Sequence, residues 1–457
     1  MIGFWSVRRR GGRATAAAVG VIGVSALAGA AVAPEPPDTA ACGAVTSRAS
    51  VSTDGRQGNS GGGDPALSRH GRYVAFSSDA SNLVPGDTNG AFDVFVRDRS
   101  AGVTRRASVG PGGRQANGDT FVPAVSAGGR YVAFESDASN LVARDTNRWP
   151  DVFVRDQVAG VTRRVSVSHT DRQARGFSEA PAISAGGRYV AFRSSAANLV
   201  AGDTNRAIDI FVRDRVDRVT RRVSIATGGR QANGSSFGAT ISGDGRFVAF
   251  SSDASNLVRG DSNRDVDVFV RDRMSGATRR VSVGPNGRQA NNGNYFAVMS
   301  ADGRYVAFHS FASNLVAGDT NGELDVFVRN RSAGVTRRVS VGRNARQANS
   351  RSDAPSISAD GRYISFDSFA SNLVAGDTNT TIDVFVRDRK TGVTRRVSVG
   401  LGGRQANTES FDTTISADGR HVAFGSNASN LVAGDTNRVP DVFVRGPLGR
   451  CRPKQWP

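Results

Sequence analysis

Thr46-Ser47-Arg48-Ala49-Ser50-Val51 and Thr104-Arg105-Arg106-Ala107-Ser108-Val109 are near-copies of one segment, 104 − 46 = 58 residues apart. The second copy belongs to a longer unit that recurs along the chain. The first stands alone near the N-terminus, with no such unit before it. Gly-Arg-Tyr-Val-Ala-Phe at Gly71–Phe76 returns with small changes at Gly129, Gly187, Gly245, Gly303, Gly361 and Gly419, always 58 residues on. Asn-Leu-Val starts at Asn82 and keeps the same step to Asn430, and Asp-Val-Phe-Val-Arg runs from Asp93 to a last copy at Asp441. Self-similarity at a fixed period is the signature of a repeat architecture.

Each unit reads as four short strands, typified by Pro181–Ser184, Arg188–Phe192, Asp209–Arg213 and Thr220–Ile225. They are rich in β-branched and aromatic residues and are separated by Gly, Asn, Asp and Pro. The turn between the first two is Asp-Gly in several copies, such as Asp302-Gly303, which suits a tight hairpin. Seven such units leave a β-solenoid or a seven-bladed β-propeller. The chain ends choose between them. The last unit stops after its third strand, Asp441–Arg445, and the orphan Thr46–Val51 is a fourth strand without a unit. From Thr46 to Cys451 there are 406 = 7 × 58 residues. A solenoid would need polar caps; a ring needs this complementarity, because the N-terminal strand completes the last blade and hides its edge. The expectation is all-β: a seven-bladed propeller of four-stranded antiparallel blades over 46–451.

Composition agrees. The chain has 457 residues, with Lys+Arg 59 against Asp+Glu 41, a formal net charge of +18. With 54 Gly, 15 Pro and 3 Met it is turn-rich. Its Val and Phe content excludes a disordered basic tail, and no long amphipathic stretch supports a helical bundle. Arg8, Arg9, Arg10 and Arg13 followed by the apolar Ala14–Ala33 have the layout of a secretory signal peptide over 1–33; the alternative is an uncleaved anchor. A linker with Cys42 follows over 34–45, and 452–457 form a tail. After cleavage no membrane span is expected. Cys42 maps onto the repeat position of Ser100 and Cys451 onto that of Val103. These positions flank the hairpin between strands three and four, which the last blade lacks. A Cys42–Cys451 disulfide would replace that turn, and an exported protein is oxidised.

Ser300–Phe308, Asp325–Arg329 and Arg337–Ser340 resemble the WD40-like propeller repeats of the TolB type, and the resemblance covers nearly all of 46–451. It implies a β-propeller and an envelope or secreted binding protein. TolB-like proteins carry an α/β domain before the propeller, and none is read here.

The loop from strand two to strand three and the link between blades are both long and emerge on one face, where binding residues are expected. Small residues on the innermost strand (Ala66, Ala124, Ala182, Thr240, Ser356, Thr414) fit a narrow axial channel. One loop repeats an Asp-x-Asn pattern with a further Asp: Asp87/Asn89/Asp93, Asp145/Asn147/Asp151, Asp203/Asn205/Asp209, Asp261/Asn263/Asp267, Asp319/Asn321/Asp325, Asp377/Asn379/Asp383 and Asp435/Asn437/Asp441. Two hard oxygen ligands on one turn could serve Ca²⁺; the alternative is that these side chains cap the turn.

Arg-Arg pairs on the fourth strand, from Arg105/Arg106 to Arg395/Arg396, read either as charge protecting a strand edge or as attraction for an anionic polymer. Gly58-Asn59-Ser60-Gly61-Gly62 fits G-x-S-x-G formally, but that elbow belongs between a strand and a helix. His70, His169, His309 and His421 occupy four different repeat positions and form no ring. The expected function is an exported, monomeric binding scaffold whose partner is a protein or an anionic envelope glycopolymer; no nucleic-acid motif is present. The alternative is an envelope hydrolase or lyase at the channel mouth, for which repeat-breaking carboxylates such as Asp119, Glu179 and Glu409 should converge on the axis.

Overall fold

The computed structural model describes residues 43–449; the stretch 1–33, Cys42 and Cys451 lie outside them. The described chain forms seven four-stranded antiparallel sheets. Six blades are continuous in sequence, as in the first: Gly62–Leu67, Tyr73–Ser78, Asp93–Asp98 and Val103–Arg106, in that order across the sheet. The seventh joins Ser410–Ile415, Val422–Ser426 and Asp441–Gly446 to Val45–Arg48 from the N-terminal end. The register of the closure is Thr46↔Arg445, Ser47↔Val444 and Arg48↔Phe443. The ring is therefore closed by the orphan strand, as the chain ends require.

The two middle strands are buried on both faces. Val74, Ala75 and Phe76, and Val94 and Phe95 opposite them, are fully buried. They read as continuous apolar runs because each blade is covered by a neighbour on either side. The rings of Phe76 and Phe95 lie 5.8 Å apart, tilted by 30°, and the same pair recurs in every blade. The core is not one cluster but seven, each straddling two blades. One joins Ala75, Val94 and Val96 to Val132, Phe134 and Phe153 of the next blade. The last joins Val74 and Phe76 to Ala423, Val442 and Val444, with Ala49 of the closing strand among them.

The tight hairpins meet around the axis at one end. Each donates a backbone hydrogen bond to the next: Arg69→Ala127 (3.0 Å), Ala127→Ala185 (3.0 Å), Ala185→Gly243 (3.1 Å), Gly243→Ala301 (2.9 Å), Ala301→Ala359 (3.0 Å), Ala359→Ala417 (2.8 Å) and Asp418→Arg69 (3.1 Å). This closed circle fixes the girth of the ring at that end. The glycine of the Gly-Arg-Tyr motif makes it possible. Gly187 has φ of 75°, and a Cβ there would lie 2.1 Å from Tyr131 of the preceding blade.

Strand limits differ from the sequence reading in one respect that matters. The innermost strand begins earlier, at Ser178 rather than Pro181 in the third blade, and crosses a bulge. The bulged residue is left-handed in all seven blades: Asp64, Val122, Ala180, Gly238, Phe296, Ala354 and Asp412, with φ between 45° and 57°. Six of these seven are not glycine, and non-glycine residues rarely adopt this conformation.

Candidate functional site at the channel mouth

The bulge lies at the end of the blade where the long loops emerge. The innermost strands of successive blades contact one another, so their bulges surround the axis there. The bulged side chains face its opening: Phe296 is 62% exposed, Asp412 is exposed, and Asp64, Val122, Ala180 and Ala354 are half-buried. Behind them stands a second tier on the second strand, Ser77, Glu135, Arg193, Ser251, His309, Asp367 and Gly425, paired across the sheet with Gly63, Phe121, Glu179, Phe237, Tyr295, Asp353 and Phe411.

The tiers interlock between blades. The bulge N–H of Ala180 donates to Glu135 Oε2 of the preceding blade (2.7 Å), that of Asp412 to Asp367 Oδ2 (2.9 Å), and that of Ala354 to His309 Nδ1 (3.3 Å). His309 therefore accepts, and burial pushes it down to about 3, so its ring is neutral. Burial, opposed by the Ala180 N–H and reinforced by the charge of Glu179, pushes Glu135 up to about 7. Asp412 is pushed up to about 7 by the desolvating walls around it and by Asp64 and Asp353. Asp64 is raised by burial, and Asp367 well raised by burial and by Asp353 and Asp412. Two ion pairs complete the mouth: Glu179–Arg193 at 2.6 Å and Asp353–Arg351 at 2.9 Å.

Of the carboxylates singled out in the sequence, Glu179 belongs to this mouth. Asp119 instead accepts the N–H of Phe92 (2.9 Å), and Glu409 accepts from Asn427 Nδ2 (2.6 Å). These three do not come together as a set. Asp64, Glu135, Asp353, Asp367 and Asp412 were missed, yet a signal existed. In every repeat the second-tier residue follows an invariant Phe and precedes an invariant Ser, but is itself Ser, Glu, Arg, Ser, His, Asp or Gly. The bulge and its neighbour vary as widely.

The Asp-x-Asn loops lie elsewhere, and each is already bridged by an arginine. Arg106 reaches Asp87 (3.3 Å) and Asp93 (3.4 Å), with side chains 7%, 6% and 0% exposed. Arg164 joins Asp145 and Asp151, Arg222 joins Asp203 and Asp209, Arg280 joins Asp261 and Asp267, Arg338 joins Asp319 and Asp325, and Arg396 joins Asp377 and Asp383. In the closing blade Arg48 joins Asp435 and Asp441.

The asparagines of these loops are engaged at both ends of the side chain. Each Nδ2 donates to a carbonyl of the interblade link: Asn89 to Ala116 (3.0 Å), Asn147 to Ala174 (3.0 Å), Asn205 to Ala232 (3.0 Å), Asn263 to Ala290 (3.1 Å), Asn321 to Ala348 (3.1 Å), Asn379 to Ala406 (3.0 Å) and Asn437 to Gly58 (3.0 Å). Each Oδ1, the oxygen that an ion would need, accepts the backbone N–H two residues on. The donors are Ala91 to Asn89, Trp149 to Asn147, Ala207 to Asn205, Asp265 to Asn263, Glu323 to Asn321, Thr381 to Asn379 and Val439 to Asn437, at 3.1–3.4 Å. This is the turn-capping arrangement that Asn side chains favour. Among the described residues no group of three His, Cys, Asp or Glu is placed to hold a metal ion. The Arg-Arg pairs thus divide: the second arginine is buried in the loop and the first, such as Arg105 or Arg221, is exposed.

No protein-family model matches the chain, and no curated protein does. Solved structures do. An oligogalacturonate lyase in complex with manganese is 12% identical with TM-score 0.51, over 90% of this chain and 91% of that one. The β-propeller domain of the trilobed protease from Pyrococcus furiosus, with an open velcro topology, is 10% identical with TM-score 0.51, over 86% of this chain and 99% of that one. TolB from Acinetobacter baumannii is 16% identical with TM-score 0.37, over 66% of this chain and 58% of that one. The two likenesses above a TM-score of 0.5 are to β-propellers, and at these identities they extend to the fold alone. No helix of the described residues is long and apolar enough to cross a membrane.

Proposed function

We propose that the protein is an exported binding scaffold that holds its ligand in the long-loop mouth of the axial channel. One observation carries this reading: near-identical repeats diverge in size and charge at the two tiers around the axis. Seven equal units can present only a seven-fold symmetric mouth, and few ligands have that symmetry. Divergence at the mouth turns a symmetric ring into an asymmetric site, while the invariant Phe pairs keep the scaffold intact. The interblade hairpins carry exposed Arg56, Arg114, Arg172, Arg230, Arg288, Arg346 and Arg404, and their tips lie against the outer strands of the next blade, where Thr53 accepts from the Thr104 N–H (3.1 Å) and Asp171 pairs with Arg213 (2.6 Å). We infer that the arginines, rather than Ca²⁺, are the counter-ions of the Asp-x-Asn loops. Export and a Cys42–Cys451 bond complete the reading; peptide mapping without reduction should recover the two cysteines linked.

The test is capture from envelope extract and from a panel of purified glycopolymers. Ala354→Trp, which plugs the mouth, should abolish capture that Arg221→Ser, on the outer rim, leaves intact. Equal capture by wild type and Ala354→Trp would refute a mouth site. A second reading, a hydrolase or lyase at the same mouth, is favoured by Glu135 and Asp412 both standing near 7, where a carboxyl can serve as general acid or base at neutral pH. Turnover of a captured polymer, lost in Glu135→Gln, would establish it.

A further inference from the structure

The outer cleft between the fourth and fifth blades is open. The ladder of the fourth blade sets Ala249, Val270 and Arg279 side by side, and Ala249 and Val270 share a core cluster with Val306 and Phe327 of the fifth blade. Arg279 therefore lies on the face turned to that blade. Two residues nearer the tight turns, Phe247, Asp272 and Ala277 stand in register on the same face. The fifth blade answers with Arg329 and Arg331, which follow Phe327 at alternate positions. These residues line a cavity of about 400 Å³, within the roughly 300–1,000 Å³ of small-molecule sites. It sits at the tight-turn end of the outer strands, away from the long-loop mouth.

The lining is cationic, and its cations are not neutralised. Asp272 is the one carboxylate in it, and Arg246 already grips both of its oxygens (3.0 and 2.7 Å). Among the described residues Arg329 donates to Thr336 Oγ1 (3.1 Å) and the Val283 carbonyl (3.4 Å), and Arg331 to the Gly303 carbonyl, each through a single nitrogen. Arg279 is exposed and forms no ion pair among them. A guanidinium carries five N–H donors, so most of those in the cleft are left for a ligand.

Two changes peculiar to the fourth blade trim the walls here. Ala277 stands where five blades have Val103, Val161, Val219, Val335 and Val393, and Phe247 where five have tyrosine. Neighbouring clefts carry arginines at the same places behind larger side chains or beside further acids. Arg213, equivalent to Arg329, is paired with Asp171 (2.6 Å). The third blade puts Asp217 where the fourth has Ser275, and the cleft of Arg337, Arg387 and Arg389 keeps Tyr305 and Val335.

We propose that the cleft between the fourth and fifth blades binds a small phosphorylated sugar, whose phosphoryl oxygens accept from Arg279, Arg329 and Arg331 and whose ring lies by Ser275 in the space that Ala277 leaves. Three guanidiniums from two walls match the three terminal oxygens of a phosphate ester, whereas one guanidinium fork is enough for a carboxylate. This site is separate from the mouth and does not depend on it.

Calorimetric titration of the full chain with glucose 6-phosphate, and with glucose and inorganic phosphate as its two halves, tests this. The ester should bind, glucose should not, and inorganic phosphate should bind more weakly. Arg279→Ala should weaken the ester at least about tenfold, the loss of a charge-assisted hydrogen bond. Arg337→Ala removes the same charge one cleft along and should leave the ester unaffected. Ala277→Val with Phe247→Tyr restores the residues of the other blades, so this variant should fold, and it should lose the ester. Ala354→Trp, which plugs the mouth, should bind it as the wild type does. Absence of binding, equal weakening by Arg279→Ala and Arg337→Ala, undiminished binding in the refilled variant, or loss in Ala354→Trp would overturn the proposal. Inorganic phosphate binding as tightly as the ester would overturn the assignment to a sugar. None of these results bears on capture at the mouth.

Discussion

Replacing Arg222 by Met separates the two arginines of one Arg-Arg pair by their energetics. Arg222 is 10% exposed and lies 2.8 Å from Asp203 and 3.2 Å from Asp209, which are 5% and 1% exposed. Asp209 keeps Asn205 and Ser224 as donors after the change. Asp203 loses the charge that opposes its burial. Breaking a buried pair by removing one partner costs about 3–5 kcal/mol, a large part of the roughly 5–15 kcal/mol that holds a typical domain folded. Arg221 is exposed on the outer rim, and its replacement by Met should stay within about 0.5 kcal/mol. Urea unfolding followed by tryptophan fluorescence and circular dichroism reads both. The pH dependence has a definite sign. Burial raises Asp203 above its ordinary value and Arg222 opposes that rise, so without Arg222 the deficit is full at neutral pH and shrinks as pH falls through the raised value of Asp203. Equal losses in the two variants, or a deficit that grows on acidification, would refute the assignment of Arg222 as the loop's internal counter-ion.

Three further outcomes follow from the same structure. The thermal midpoint of the wild-type protein should be the same in millimolar Ca²⁺ as after chelation; a rise would show that the Asp-x-Asn loops bind the ion through linkage. Deleting residues 45–51 removes the partner of Asp441–Gly446 and exposes a strand edge, so gel filtration should show aggregation; a well-behaved monomer would contradict closure by this strand. Glu135 has a folded pKa of about 7, above its ordinary value. Its contribution should therefore be full below the ordinary carboxylate value and fade as pH rises from there to about 7, and Glu135→Gln should flatten this part of the stability profile; an unchanged profile would remove it.

The ring was legible because its evidence is long-range and redundant. The 58-residue step, the truncated last unit and the orphan Thr46–Val51 allow one arrangement. The Asp-x-Asn loops were harder, since their partner is remote in sequence. Hairpin register pairs Phe95 with Arg106, which brings Arg106 back beside Asp93. Strand alternation then turns Arg105 outward, so two adjacent arginines that read as one feature have separate roles. The asparagine oxygens, from Asn89 to Asn437, read as ligands until the backbone path shows the N–H that each one accepts. The mouth was expected, but its residues other than Glu179 escaped for a different reason. Repeats are recognised by what stays the same, whereas Glu135, Asp367 and Asp412 are informative because they differ from their equivalents. The left-handed bulge that aims Asp412 and Phe296 at the channel has no residue signature, since Asp, Val, Ala, Gly and Phe all occupy it.

The central claim is that the ligand sits in the mouth and not on the rim. A crystal structure of the protein with its captured ligand bound tests this most directly. The account predicts ligand density inside the long-loop opening, against the bulge residues that surround the axis. Density confined to the outer strands around Arg105, Arg221 and Arg395, with the mouth empty, would contradict it.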